Sequence, residues 1–182
     1  MKVLAICGSL RARSSNLAVL QAAKMLAPRS LEITLFGELE ALPHFNPDQD
    51  TDTPPPPVLR LRKAIGHADA LLICSPEYAR GIAGVMKNAL DWLVSSFEFP
   101  GKPVAVINAS QRSTHADAAL RLTLQTMSAS LIEEASITLP LLGRNLDAEG
   151  IAQDPELSSQ LRTALEHIEH ITGGLTAKLQ SG

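Results

Sequence analysis

Residues 7–16 read CGSLRARSSN, a stretch in which Ser9, Ser14, Ser15 and Asn16 offer short hydrogen-bonding side chains and Arg11 and Arg13 offer cations. Those residue types suit an anion. The stretch follows a short apolar run and precedes a helical pattern, so it lies where unpaired N–H groups and the positive end of a helix dipole coincide. An arginine there grips a phosphate through paired donors. A dinucleotide fingerprint needs GxGxxG and a Walker loop needs GxxxxGK[ST]. This loop has only Gly8 and no lysine. Hydroxyls with few glycines better suit one terminal phosphate that enters the loop and is surrounded, as in a mononucleotide such as FMN. A plain strand-to-helix turn with ordinary caps would carry the same residues.

Two further stretches carry polar groups at the ends of apolar runs. Residues 75–84 read SPEYARGIAG, where Pro76, Gly81 and Gly84 predict a shaped turn rather than a helix. Tyr78, the single tyrosine of the chain, would pack on a flat ligand or else cover the core. After Asn108, Ser110, Gln111, Arg112, Ser113, Thr114 and His115 form a second polar cluster, either a site or a solvated loop with a helix cap.

These stretches need a scaffold, and hydrophobic periodicity supplies one. The apolar runs at 2–7, 31–36, 69–75 and 102–110, and one within 130–140, predict five strands. Between them lie helical patterns: Leu17, Leu20, Ala23 and Leu26; the stretch 58–68; Val85 through Phe97; and residues 115–129. The last, with Leu157, Leu161, Leu165 and Ile168 on one face, closes the domain. Buried-type strands alternating with helices predict a doubly wound α/β fold. Its parallel sheet takes the order 2-1-3-4-5, with helices on both faces and ligands beyond the C-terminal strand ends. The stretch 37–57 is polar and proline-rich and predicts a long loop. The whole chain, 1–182, predicts one domain with a flexible tail at 173–182.

GSLRARSSN near the start and PEYARGIAGVMKNALDW in the middle resemble the NADPH-dependent FMN reductase family, in its order and spacing and over nearly the whole chain. The resemblance implies a flavodoxin-like fold, FMN as cofactor and NADPH as electron donor, with NADH as an alternative. It implies quinones, azo compounds, free flavin or metal oxyanions as acceptors. Ser9, Arg11, Ser14, Ser15 and Asn16 would then hold the FMN phosphate. Pro76, Glu77 and Tyr78, with Ala79, Arg80 and Gly81 of the following turn, would line the isoalloxazine ring. Ser110, Gln111, Arg112 and His115 would border its pyrimidine edge, with Arg112 or His115 offsetting negative charge near N1. Many members have asparagine where this chain has Ala79 and proline where it has Ala83. Ala79 would therefore act only through its backbone, while Arg80 would meet the phosphate of a nicotinamide cofactor. No catalytic acid or nucleophile is implied, since hydride chemistry takes place on FMN N5. The family's oligomers imply a homodimer or homotetramer, formed through the helix containing Lys87, Asp91 and Trp92. That helix alternatively sinks deeper into the monomer.

Composition narrows the alternatives. A formal charge of −3 and a pI near 5.9 argue against a nucleic-acid binder. Neither a signal peptide nor a membrane span is predicted, so the expected location is cytoplasmic. Cys7 and Cys74 form no CxxC or zinc spacing and read as small buried side chains. His167 and His170 share a helix face, but the polar one opposite Leu161 and Leu165, and no metal is predicted. A flavodoxin-type electron carrier is the main rival to an enzyme. Aromatic residues make up only 3% of the chain, too few to wall a flavin on both sides. A nucleotide-binding transferase on the same fold is the other.

Overall fold

The computed structural model describes residues 1–180. Five parallel strands form its sheet: β1 (Lys2–Cys7), β2 (Glu32–Phe36), β3 (Ala70–Cys74), β6 (Pro103–Val106) and β7 (Ser130–Leu131). They lie in the order β2-β1-β3-β6-β7, which is 2-1-3-4-5 in the chain order of these strands. Alternation along the strands sorts two cores. Val3, Ala5, Ala70, Leu72, Cys74 and Ala105 face one side with α1 (Ser15–Leu26) and α6 (Pro155–Gln180). Leu4, Ile6, Leu71, Ile73, Val104 and Val106 face the other, with α2 (Pro56–Gly66), α3 (Gly84–Asp91) and α4 (Thr114–Thr126). Alanines on the first face leave room for helices to approach the sheet closely.

Several local details sharpen or differ from these expectations. The fifth strand spans only two residues and is extended by an isolated bridge between Asn108 and Thr138. Residues 77–82 form a hairpin, β4 (Glu77–Tyr78) with antiparallel β5 (Gly81–Ile82). Helix α3 stops at Asp91, and the stretch to Phe97 continues as turns through Leu93, Val94 and Ser96. An unforeseen short helix, α5 (Ala148–Gln153), starts at Asp147, whose carboxylate accepts from the Gly150 N–H at 2.8 Å. Helix α6 continues past Gly173 to Gln180, where a tail was expected; residues 181–182 lie outside the described residues.

The segment 37–57 is pinned rather than loose. It contains 3-10 turns at Leu39–Ala41 and Pro47–Gln49. The Trp92 indole N–H donates to Pro43 O at 2.8 Å, and its ring meets Phe45 edge-on at 5.0 Å. Asn88 accepts from the Phe45 N–H and donates to Pro43 O. Arg62 binds Asp50 at 2.8 Å and also holds the Trp92 carbonyl, while the Ser95 hydroxyl donates to Asp50 at 2.7 Å. Trp92 is therefore wholly buried within the chain, and its ring offers no surface to a partner. Lys87 and Asp91 do pair, at 2.6 Å on the surface, and exposed pairs of this kind contribute little.

Candidate functional site

The C-terminal ends of β1 and β3 fix the floor of the site. Cys7 and Cys74 stand in register, and the Gly8 N–H donates to Cys74 O at 2.8 Å. A Cβ on Gly8 would lie 2.3 Å from Ser75 Oγ and 3.0 Å from Ser75 Cα. The lone glycine of the loop thus serves the close approach of two strand ends. Ser75 Oγ, buried at this contact, has no hydrogen-bond partner among the described residues.

Beyond Gly8 the loop folds on its own hydroxyls. The Arg11 N–H reaches Ser9 Oγ at 3.4 Å, and Ser14 caps α1 by accepting from the Leu17 N–H at 3.4 Å. No hydrogen bond among the described residues uses the N–H groups of Ala12, Arg13, Ser14, Ser15 or Asn16. The guanidinium groups of Arg11 and Arg13 have no ion-pair partner among them either, and both arginines are exposed. Open donors at a helix start beside unpaired cations fit a phosphate monoester. Asn16 differs: it is buried, and its side-chain oxygen accepts the Cys74 S–H at 3.3 Å. Burial pushes both thiols up, Cys74 the further, so both stay protonated and neither is an activated nucleophile.

The second wall is the hairpin. Its two-residue turn is Ala79-Arg80, both at positive φ, 50° and 59°. A two-residue turn left-handed at both positions is the type I′ geometry that glycine and asparagine favour. Gly81, by contrast, does not have a left-handed φ. Glu77 turns inward, where its Oε2 accepts from the Ala116 N–H at 2.9 Å. This carboxylate, rather than the N-cap Ser113 side chain, closes the first turn of α4.

The third wall hangs on buried Asn108 at the end of β6. Its Oδ1 accepts from the Ser110 N–H at 3.0 Å and its Nδ2 donates to Ser113 O at 3.2 Å. Ser110 Oγ in turn accepts from the Arg112 N–H.

Three concavities open around these walls. One of about 190 Å³ is bounded by Ser15, Asn16, Pro76, Glu77, Asn108 and Ser110, with the turn 141–143 opposite. One of about 310 Å³ lies across the hairpin, where Tyr78, 53% exposed, faces Gly8, Leu10 and Arg11. A groove of about 700 Å³ runs outside the loop, between residues 11–15 and 145–148. The fold therefore brings Ser14, Ser15, Asn16, Pro76, Glu77 and Ser110 together, with Arg11 and Tyr78 on the adjoining face and Ser9 beneath the loop. Ala79, Arg80, Gln111, Arg112 and His115 stand exposed outside these concavities, and Gly81 lies in the hairpin. Sequence reasoning missed Asn108 as the organiser of its loop, and the turn at Leu141, Leu142, Gly143 and Asn145. An asparagine closing a strand was a readable signal for the first. The second follows a segment with almost no regular structure and left none.

No metal-ligating group of three or more His, Cys, Asp or Glu occurs among the described residues. No helix among them is long and apolar enough to cross a membrane.

Comparison with known proteins gives this geometry a context. Residues 1–141 match the sequence profile of the NADPH-dependent FMN reductases. An NAD(P)H-dependent FMN reductase of Pseudomonas aeruginosa is 35% identical over 93% of this chain and 94% of its own. A quinone reductase of Pseudomonas putida is 39% identical over 59% of each chain. Among solved structures, a flavoenzyme NAD(P)H:(acceptor) oxidoreductase of Paracoccus denitrificans superposes with a TM-score of 0.80. It is 31% identical and the match covers 93% of this chain and 97% of that one.

Proposed function

The chain belongs to the NADPH-dependent FMN reductase family, and on that premise we propose that it carries reducing equivalents from NADPH to a quinone. It is an oxidoreductase that works with FMN and NAD(P)H. When bound, FMN supplies the hydride chemistry, between the nicotinamide and the acceptor.

The chain's own residues bind and orient. The open N–H groups at the start of α1, with Arg11 and the Ser15 hydroxyl, hold the terminal phosphate. Pro76, Glu77 and the loop organised by Asn108 bound the small concavity that would take the inner edge of the flat ring. Glu77 fixes α4 against the hairpin, so two walls of that concavity keep one spacing. Arg80, held at the exposed hairpin turn, is the cation assigned to the phosphate of NADPH. The observation that carries this reading is the loop 7–16, whose unused donors at Ser15 and Asn16 open beside that concavity, while Arg11, without an ion-pair partner among the described residues, borders the adjoining ones.

A quinone is favoured over the other acceptors because the Pseudomonas putida relative is a quinone reductase. Self-association belongs to the same proposal. With Trp92 turned inward, the contact would use Val94 and Phe97, both strongly exposed just beyond α3. Purified protein loaded with FMN should oxidise NADPH on addition of a benzoquinone. Loss of FMN on gel filtration, with no NADPH turnover, would overturn the reading.

A further inference from the structure

We propose that the groove outside the phosphate loop receives the adenylate half of a flavin adenine dinucleotide, so that the chain takes FAD as well as FMN. The inference rests on the proposed flavin site and deepens it.

The two spaces are continuous. Ser15 and Asn145 border both the small ring-side concavity and the outer groove. A ligand whose ring occupies the first and whose phosphate meets the N–H groups of the loop therefore has its phosphate facing the second. The groove is also large. At about 700 Å³ the groove is far larger than a phosphate requires, and it falls in the ~300–1,000 Å³ range of whole-ligand sites.

The lining of the groove suits an adenylate chemically. Arg11 borders the groove and the concavity at Tyr78. Arg13 borders the groove alone and has no ion-pair partner among the described residues. One phosphate is served by the loop N–H groups and Arg11, which leaves Arg13 for a second. Asp147 spends Oδ1 on the Gly150 N–H, and its other oxygen has no partner among the described residues. A carboxylate with a free oxygen accepts from ribose hydroxyls, its usual task beside a nucleotide. Leu17 and Leu146 supply apolar surface and Gln21 an amide at the same groove, matching the face and the polar edge of a purine. A cation, a free carboxylate oxygen and apolar surface with an amide thus line one groove, in keeping with phosphate, ribose and base.

The test is a titration of flavin-free protein with FMN and with FAD, followed by quenching of flavin fluorescence. For the unaltered chain, Kd for FAD should lie within about tenfold of that for FMN. Arg13→Ala should weaken FAD at least about fivefold more than it weakens FMN. Asp147→Asn keeps an oxygen for the α5 cap and should also weaken FAD selectively. FAD bound more than about tenfold more weakly than FMN, or an Arg13→Ala loss equal for both flavins, overturns the inference. FMN binding without FAD would sink this inference and leave the flavin site standing. Binding of neither would remove both.

Discussion

The Glu77 carboxylate accepts a hydrogen bond from the Ala116 backbone N–H across 2.9 Å, joining the hairpin after β3 to the first turn of α4. A carboxylate at a helix N-terminus satisfies an orphan donor and faces the positive end of the dipole. Glu77→Ala should cost about 1 kcal/mol of stability in urea unfolding. FMN affinity should fall as well, because two walls of the small concavity lose their fixed spacing. Glu77→Gln retains an acceptor and should recover part of both. An unchanged FMN Kd in Glu77→Ala would show that the spacing does not matter to the ligand.

Arg11 borders the outer groove and has no ion-pair partner among the described residues. Arg11→Ala should weaken FMN more than about tenfold, the loss of one charge-assisted contact worth over ~1.4 kcal/mol. Equilibrium titration of the variant checks this, and unchanged affinity would remove Arg11 from the phosphate site.

At the hairpin turn, Ala79 and Arg80 sit at φ 50° and 59°, where a Cβ costs roughly 1–2 kcal/mol per residue. Asparagine tolerates that region better, so Ala79→Asn should raise stability by about 0.5–1 kcal/mol without altering FMN binding. Arg80→Ala separates backbone from charge. It should raise KM for NADPH while leaving kcat with saturating NADPH nearly constant. Equal KM values in the variant and the unaltered chain would end the role assigned to Arg80.

The acid limb of stability should report on Asp50. The Ser95 hydroxyl first, and Arg62 after it, hold its carboxyl below the ordinary value of 3.8. With a folded pKa below the unfolded one, the stabilisation is complete above the unfolded pKa and is lost as pH falls through the folded value. Urea midpoints should therefore fall below about pH 4, and Asp50→Asn should flatten that part of the profile. Arg62→Ala leaves Asp50 and the Trp92 carbonyl without their shared donor and should cost about 2–3 kcal/mol at neutral pH.

Phe97 is 98% exposed and Val94 67%, and both stand just past the helix through which self-association is proposed. Phe97→Ser should lower the sedimentation coefficient of any oligomer toward that of a single chain, with Tm little changed. An unaltered assembly would place the contact elsewhere.

The sheet order and the capped start of α1 were legible because each rests on local rules. Branched residues in short runs make buried strands, and Ser14 before an apolar periodicity makes a cap. What escaped were non-local pairings. Nothing near Glu77 in sequence reveals that its partner is the Ala116 N–H, since the contact exists only after β3 and β6 pair. Trp92 read as an apolar position on a helix face with two possible destinations. Its inward turn depends on Pro43 and Phe45, which reach it only when the segment 37–57 folds back. The turn at 75–84 was legible, but not which residues carry its positive φ. Glycine is the usual bearer of positive φ, yet here alanine and arginine carry it.

The strap that buries Trp92 also gives the molecule a built-in optical gauge. The chain has one tryptophan, fully enclosed, with its indole N–H bound to Pro43. Light absorbed selectively by indole therefore interrogates a single place, the seam between the segment 37–57 and α3. Emission from a sealed indole is blue, and wetting of that seam shifts it to the red. Detachment of the strap can thus be timed separately from events at the loop 7–16, with no label added.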